Sequence, residues 1–423
     1  MNKKNFLIGV IGLGYVGLPL AIEFAKKINV IGFDLSSRRV KDLKKQKDTN
    51  NDILINDFKK ATNITFTNNL KLLLNCNVYI ITVPTPIKKN KEPDLKYIKK
   101  ACEHIALYLK KNDIVILEST VYPGVSEEFC VPILEKRSKL KFNKEFFFGY
   151  SPERINPNDR KYKISKIKKI TSGSNQKTAN FVDRLYKLII KAGTYKAKSI
   201  KIAEAAKVIE NAQRDINIAF MNELCLIFEK LNIDTNQVLK AASTKWNFLN
   251  FKPGIVGGHC IGVDPYYLTY KSIKHGYVPK IITAGRKIYD QFTKSIVRKA
   301  INKTKNKFKT SKLKFLVLGL SFKENCVDYR NSKSIELVKL LKSKNYETVC
   351  YDPLININLF NKDGEIQITK KIKTNYFHCV IISVAHNYFM NLGEKKIRKY
   401  LLNGGLLFDI KNIFPNNKDN IYL

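Results

Sequence analysis

Short, continuous apolar runs recur along the chain, each closed by glycine, proline or a polar turn. The first is Phe6-Leu7-Ile8-Gly9-Val10-Ile11. Others are Asn77-Val78-Tyr79-Ile80-Ile81-Thr82-Val83, Asp113-Ile114-Val115-Ile116-Leu117-Glu118 and Phe146-Phe147-Phe148-Gly149-Tyr150. Runs this short are poor buried helices, and they lack the alternation of a strand with one wet face. They predict parallel strands buried on both sides. Stretches of helical period follow them, beginning with Leu18 to Lys27. The longest runs from about Ile200 to Leu231, with Ile202, Ala206, Ile209, Ala212, Ile216, Ala219, Phe220 and Leu224 at helical spacing. A further helical stretch covers Ile281–Ile301, and the basic segment Asn302 to Lys312 reads as a solvated linker. The last third then restarts the first pattern: strand Lys314 to Leu320, helix Ser334 to Leu341, and strands Thr348 to Pro353, Cys379 to Val384 and Gly405 to Ile410.

Alternating strands and helices at both ends, with a helical middle, predict an α/β protein. Two Rossmann-like doubly wound parallel-sheet domains are expected, residues 1–199 and 302–423, joined by a long central helix and helical domain over 200–301. The middle helix has the length of a spine between domains, with a dimer face on it.

The turn after the first strand is Gly12-Leu13-Gly14-Tyr15-Val16-Gly17. It opens a helix, and a second strand, Val30-Ile31-Gly32-Phe33, ends at Asp34. That order and spacing meet the dinucleotide fingerprint, in which the glycines admit a pyrophosphate to the helix N-terminus. Asp34 can accept from a ribose 2′-hydroxyl and would repel a 2′-phosphate, so NAD is expected over NADP. Arg38 and Arg39 point mildly the other way. Ligands of such sheets lie beyond the carboxyl ends of the strands. This makes Pro84 and Thr85 after one run, and Ser119 and Thr120 after another, candidates for the nicotinamide end.

Composition narrows the function. A net charge of +40 raises the question of nucleic acid. Lys, Asn and Ile are overused throughout, which is compositional drift rather than a patch, and no recognition helix, RNA-binding aromatic motif or zinc finger accompanies it. The eight cysteines are scattered singly, with no C-x-x-C pair, so neither zinc nor a disulfide framework is indicated and a reducing cytoplasm is expected. No apolar run is long enough to span a bilayer.

One cysteine has a special setting. Cys260 sits in Pro253-Gly254-Ile255-Val256-Gly257-Gly258-His259-Cys260-Ile261-Gly262-Val263-Asp264-Pro265. Gly254, Gly257, Gly258 and Gly262 permit unusual backbone angles and close approach of a ligand. A thiolate held there is a nucleophile in need of a polar setting, although a buried turn cysteine would read the same locally. Glu153 follows the aromatic run, which would desolvate it and suit it to base work; an ordinary turn carboxylate is the alternative. Lys207 and Asn211 share one face of the long helix at i, i+4.

Taken in order, these stretches resemble the UDP-glucose/GDP-mannose dehydrogenase family. The resemblance covers the whole chain: the Gly12–Pro19 loop, Val83-Pro84-Thr85-Pro86, Glu118-Ser119-Thr120-Val121-Tyr122-Pro123-Gly124, Ser151-Pro152-Glu153-Arg154, the Lys207/Asn211 helix, the Cys260 loop, and Gly319-Leu320-Ser321-Phe322-Lys323-Glu324-Asn325 running to Arg330. It implies two successive NAD-dependent oxidations of C6 of a nucleotide sugar to a uronic acid, for surface polysaccharide synthesis, by a homodimer with an N-terminal NAD domain and a C-terminal UDP domain. It implies Cys260 as nucleophile, Lys207, Asn211 and Asp264 as the polar group around it, and Thr120 and Glu153 as the groups acting on water and intermediates. Gly12, Gly14, Tyr15, Val16, Gly17, Asp34, Arg39, Pro84, Thr85, Ser119 and Thr120 fall on the cofactor side. Arg154, Lys252, Gly257, Gly258, His259, Phe322, Lys323 and Arg330 fall on the substrate side, with Glu153, Lys207 and Asn211. No metal is implied. Two departures from the UDP-glucose branch, Pro157 where that branch has Glu and His259 where it has Ser, are similar to the branch acting on UDP-N-acetylhexosamines, UDP-N-acetylglucosamine among them. A β-hydroxyacid dehydrogenase would share the first domain and the Lys/Asn helix, but would need neither Cys260 nor the last domain.

Overall fold

The computed structural model describes residues 6–50, 53–88, 90–154, 163–258, 261–361, 366–415, 417 and 419–423. The chain forms two compact units, Met1–Glu210 with Tyr266–Tyr277, and Asn211–Pro265 with Val278–Leu423.

In the first unit the apolar runs become strands β1 (Leu7–Ile11), β2 (Asn29–Phe33), β3 (Ile64–Thr67), β4 (Val78–Ile81), β5 (Ile114–Leu117) and β6 (Phe147–Tyr150), with β7 (Lys169–Gly173) and β8 (Thr194–Lys196) beyond them. The sheet order is β3-β2-β1-β4-β5-β6-β7-β8. The strands from β3 to β6 are parallel, and β7 runs antiparallel to β6. Side chains alternate between two cores. Ile8, Val10, Val78, Ile80, Ile114 and Ile116 face one, and Ile11, Tyr79, Ile81, Val115 and Leu117 the other. Both faces are therefore dry, which is why the runs are continuous rather than alternating. Strand order reverses between β1 and β4, the switch point at which doubly wound sheets bind ligands.

The second unit holds five parallel strands, β9 (Lys314–Leu318), β10 (Glu347–Tyr351), β11 (Phe377–Ile382), β12 (Leu401–Asp409) and β13 (Asn420–Ile421), in the order β10-β9-β11-β12-β13. Phe315 and Val317 face one core, and Leu316 and Leu318 the other.

Five helices matter for the site: α1 (Gly17–Ala25), α2 (Ile200–Leu231), α3 (Asp264–Lys274), α4 (Lys280–Phe308) and α5 (Lys333–Lys342). α2 runs 32 residues without glycine or proline and stops at Asn232, whose φ of +55° gives a left-handed cap.

Two expectations need correction. The basic segment Asn302 to Lys312 is no solvated linker but helical as far as Phe308, because the lysines lie on the outside of α4 while Ala300, Ile301 and Thr304 are buried. The apolar stripe on α2 is only in part its buried face: Ala212 and Ala219 are buried, but Ile202, Ile209 and Phe220 are about half exposed, and Glu204, Lys207, Asn211, Asp215 and Asn222 are buried beside Ala203, Val208 and Met221. Helical period alone cannot distinguish a face buried by its own chain from an apolar face turned outward. Among the described residues no helix is long and apolar enough to cross a membrane.

Candidate active site

The loop from β1 to α1 is built by steric demand. Gly12 has φ +96°, which only glycine adopts at ease. A Cβ on Gly17 would stand 1.8 Å from the Gly12 carbonyl oxygen and 2.4 Å from Thr82 Oγ1. Thr82 Oγ1 donates to the Gly12 carbonyl at 2.7 Å, tying the turn to the end of β4. At Gly14 a Cβ would meet no protein atom within 4 Å, and the residue is exposed, as close approach by a ligand requires. Tyr15 and Val16 complete the turn, and α1 opens with no acidic residue in its first turn, leaving its N-terminal dipole to a phosphate.

Asp34 follows β2. Its Oδ2 accepts the Leu13 N–H at 2.9 Å and Oδ1 the Ser36 N–H at 2.8 Å, so the carboxylate is fixed against the loop and half-buried. Arg39 is committed elsewhere: Nε donates to the Leu13 carbonyl at 3.0 Å and Nη1 to Asp48 and Thr49. That takes Arg39 out of the argument for a 2′-phosphate, and Arg38 is exposed on the following helix. These residues fit an NAD molecule.

The other candidates of this unit sit past the carboxyl ends of the neighbouring strands. Pro84 and Thr85 follow β4, and the Thr85 carbonyl accepts from Tyr267 at 2.9 Å. Ser119 and Thr120 follow β5; Ser119 Oγ donates to the Val83 carbonyl at 2.7 Å. Glu153 and Arg154 follow β6. Glu153 is buried, as the aromatic run suggests, and Lys207 Nζ donates to its carbonyl at 2.8 Å and lies 3.8 Å from its carboxylate. Lys207 is 2% exposed. A buried ammonium is costly unless it is bonded and paired, and Glu153 does both for this one. Arg154 pairs with Glu210 at 2.9 Å.

Sequence reasoning missed two supports here. Glu204, one turn before Lys207, accepts the main-chain N–H groups of Gly124 and Ser126 and so ties the segment after Thr120 to α2. Burial pushes its carboxyl up to about 7, against those two bonds. Glu118, behind Ser119, is fully buried with Lys169 at 2.7 Å and Tyr186; burial raises its carboxyl despite both partners. The available signal was a polar residue repeating on one side of an apolar helix, and a charge closing an apolar strand.

In the second unit Asn211 donates to Asp264, both buried, at the first turn of α3. His259 and Cys260 lie outside the described residues, as does Pro157; their neighbours do not. Of the four loop glycines only Gly258 has positive φ, +90°. A Cβ there would strike the Phe322 ring at 2.6 Å, and one on Gly257 would strike the Asn331 carbonyl oxygen at 2.4 Å. Gly258 N–H donates to that same carbonyl at 3.2 Å. At Gly254 φ is not positive and a Cβ would approach only Lys411 Nζ, at 3.7 Å, so neither its backbone angle nor a close contact requires glycine. Instead its N–H and carbonyl bond Asn222 of α2. On the other side of the cysteine, Arg286 donates to the Ile261 carbonyl at 3.3 Å and pairs with the fully buried Asp215 at 2.5 Å. Burial outweighs the guanidinium there, and the Asp215 carboxyl rises to about 6. Asp215, Asn222 and Arg286 were not foreseen. Lys323 lies over the Phe322 ring at 5.8 Å, Arg330 grips Asp328 with Nε and Nη2, and Lys252 is exposed ahead of the loop.

Three family models match the chain in series. They are the NAD binding domain of the UDP-glucose/GDP-mannose dehydrogenase family at residues 6–190, its central domain at 201–291 and its UDP binding domain at 316–416. The chain is 48% identical to the UDP-N-acetyl-D-glucosamine 6-dehydrogenase of Pseudomonas aeruginosa, over 99% of this chain and 100% of that one. It is 47% identical to the enzyme of that name from Salmonella typhi, over 98% of each. Among solved structures it is similar to the UDP-D-ManNAc dehydrogenase of Pyrococcus horikoshii, with TM-score 0.88 and 26% identity, over 99% of this chain and 98% of that one.

Proposed function

The chain belongs to the UDP-glucose/GDP-mannose dehydrogenase family, and from that premise we propose that it oxidises C6 of UDP-N-acetylglucosamine twice, to the uronic acid. It is an NAD-dependent oxidoreductase of nucleotide sugars. The observation that carries the proposal is the pair at the carboxyl edge of the first sheet: a buried ammonium, Lys207, on a buried carboxylate residue, Glu153, in the unit that holds the dinucleotide loop. The choice of substrate is supported by the two near-half-identical relatives, each named for UDP-N-acetyl-D-glucosamine.

NAD, when bound, takes a hydride from C6 in each oxidation. The chain supplies the rest. A base removes the hydroxyl proton in the first oxidation. The Cys260 thiolate then adds to the aldehyde carbon, forming a C–S bond and keeping the aldehyde from escaping. The resulting thiohemiacetal loses its hydroxyl proton and a hydride to become a thioester. Water adds to that thioester, the C–S bond breaks, and the thiolate and the carboxylate separate. Lys207 is assigned to steady the oxyanion of each tetrahedral stage. Glu153, with Thr120, is assigned to take the proton of the attacking water. Asn211 and Asp264 order the start of α3 beside the loop. Phe322, Lys323, Arg330, Arg154 and Lys252 are assigned to the nucleotide sugar, the cations to its phosphates.

The working assembly is a homodimer. In the second unit Phe220, Ile227, Leu231 and Ile233 leave an outward apolar row, and Trp246 is 97% exposed. A row of this kind on a chain of this charge needs a partner surface. Light scattering of Trp246→Lys against the natural chain tests this; an unchanged dimer, or a monomer in both, removes the face.

The test of the reaction is to count NADH per sugar with UDP-N-acetylglucosamine, UDP-N-acetylgalactosamine and UDP-glucose. Two NADH per sugar and the highest kcat/KM for the first are expected. A higher kcat/KM for UDP-glucose overturns the substrate, and one NADH per sugar overturns the covalent second oxidation.

A further inference from the structure

The imidazole of His386 is fully buried, and the chemistry above does not use it. It stands just past β11. Nδ1 accepts the main-chain N–H of Asn325 at 2.9 Å, so that nitrogen carries no proton. The ring proton is therefore on Nε2, which faces Asp352 Oδ2 and Ser321 Oγ, each at 3.2 Å. Ser321 Oγ spends its own hydrogen on the Lys323 carbonyl at 2.8 Å and is left to accept. Serine, histidine and aspartate thus meet, but one nitrogen serves both oxygens and the other serves the main chain. No proton can be relayed through the ring from one to the other; the arrangement is a clamp.

The clamp has a fixed base. Asp352 Oδ2 accepts the Leu320 and Ser321 N–H groups at 2.7 and 3.2 Å, and Oδ1 accepts that of Leu354 at 2.9 Å. At the far end, Asn325 and Asn387 exchange two further bonds, 3.0 and 2.9 Å. Asn325 has φ +55°, a conformation held by these partners. Both ends of the turn Ser321–Asn325 are therefore fixed, and Phe322 and Lys323 project from its middle. The Phe322 ring is what Gly258 rests against, two residues before Cys260.

We infer that His386, as the neutral Nε2–H tautomer, is a positioning residue. It sets the turn that carries Phe322 and Lys323 and, through Phe322, the loop that carries Cys260. The inference rests on the assignment of Phe322 and Lys323 to the nucleotide sugar.

The test uses the full chain with three substitutions. In H386N the amide oxygen stands where Nδ1 stands and can still accept from Asn325. In H386Q the amide reaches toward Asp352 but leaves the Asn325 N–H without an acceptor. K323A checks the underlying assignment. KM for UDP-N-acetylglucosamine, KM for NAD and the rate of inactivation by iodoacetamide are measured for each. The expected result for H386Q is a rise of about tenfold in the sugar-nucleotide KM, within the usual cost of a donor left unpaired at a part-buried site. Its NAD KM should stay within about twofold and its inactivation rate should change. H386N should restore both toward the natural chain. A merely structural role would move both KM values alike and would not be rescued by asparagine. The inference is overturned if K323A raises the sugar-nucleotide KM while H386Q does not. If K323A has no effect, the assignment of the turn falls instead, and the inactivation rate alone decides whether His386 positions the cysteine loop. Should H386Q not fold, N387A opens the other clasp of Asn325 at the surface and carries the same expectation.

Discussion

Modification of the native protein by iodoacetamide should be confined to Cys260. The seven other cysteines are all buried. Burial pushes the thiols of Cys76, Cys350 and Cys379 up to about 12 and raises those of Cys130 and Cys225 as well. At pH 8 a thiol of that kind is ionised to about one part in ten thousand, against about a quarter for an ordinary cysteine near 8.5. The thiolate is the reacting form, so ionisation alone separates the rates by about 2,500-fold, and lack of access widens the gap. The assay follows carboxamidomethyl uptake by intact mass and peptide mapping alongside loss of NADH production. About one equivalent per chain is expected, on Cys260, with activity lost in step, and with UDP-N-acetylglucosamine slowing the reaction. Cys260→Ala should take up none on that timescale, bind NAD normally and lose the second oxidation. Cys260→Ser should accumulate a covalent adduct with the mass of the oxidised nucleotide sugar, because an oxygen ester is a slower acyl donor than a thioester. Uptake at a buried cysteine at a comparable rate would refute the burial argument. A Cys260→Ala enzyme that still yields two NADH per sugar near the natural rate would refute the covalent role.

Three further outcomes can be checked. NADP should give kcat/KM at least about tenfold below NAD, about 1.4 kcal/mol, because Asp34 is fixed beside the loop and Arg39 is committed to Leu13, Asp48 and Thr49; equal values would end that argument. Gly14→Ala should leave the melting temperature unchanged and lose NAD affinity, since its Cβ meets no protein atom, whereas Gly17→Ala should lower both, its Cβ falling 1.8 Å from the Gly12 oxygen; identical behaviour of the two would show that the glycines do not divide in this way. Glu204 ionises near 7 in the folded chain and near 4.5 unfolded, so the folded state holds a proton that the unfolded state releases. The cost to stability is absent below pH 4.5, grows as pH rises to 7 and levels above at up to about 3 kcal/mol. Glu204→Gln should therefore improve its urea midpoint relative to the natural chain more at pH 8 than at pH 5, and an equal difference at both pH values would contradict this.

The strands were legible because a doubly buried strand has few alternatives to a continuous apolar run. β3, which alternates Ile-Thr-Phe-Thr, is too mixed to be seen that way, and β8, at three residues, is too short. The nucleotide loop was legible because glycine spacing records steric limits, and 1.8 Å at Gly17 is such a limit. Asp215, Asn222 and Arg286 were not, since a buried polar residue looks like a surface one until its partner is known. On α2 the buried face mixes five polar residues, Glu204 to Asn222, with Ala203, Val208, Ala212 and Met221, a departure from the usual rule that helical period alone conceals. Such departures concentrate at functional sites, where local preference yields to chemistry.

The two sheets begin with the same device and use it differently. In each, a glycine of positive φ follows the first strand, Gly12 at +96° and Gly319 at +86°. In each, an aspartate at the end of the neighbouring strand accepts the next N–H: Asp34 from Leu13, and Asp352 from Leu320. After Gly12 the chain turns through Gly14 and enters α1 at Gly17, and Asp34 stays half-buried at the edge, with room to accept from a ribose. After Gly319 no helix starts until α5 at Lys333, and a Cβ on Gly319 would lie 2.6 Å from Val384. Asp352 is closed over by His386 and saturated by main-chain donors. Its carboxylate has nothing left for a ribose, and no helix N-terminus is offered to a pyrophosphate. The second sheet thus has the frame of a dinucleotide domain without an open aspartate or a helix N-terminus at the end of its first strand. Calorimetric titration should accordingly find NAD binding at one site per chain, and Asp34→Ala should abolish it. Two NAD sites per chain, or one that survives Asp34→Ala and disappears with Asp352→Ala, would show that the second sheet still binds the dinucleotide.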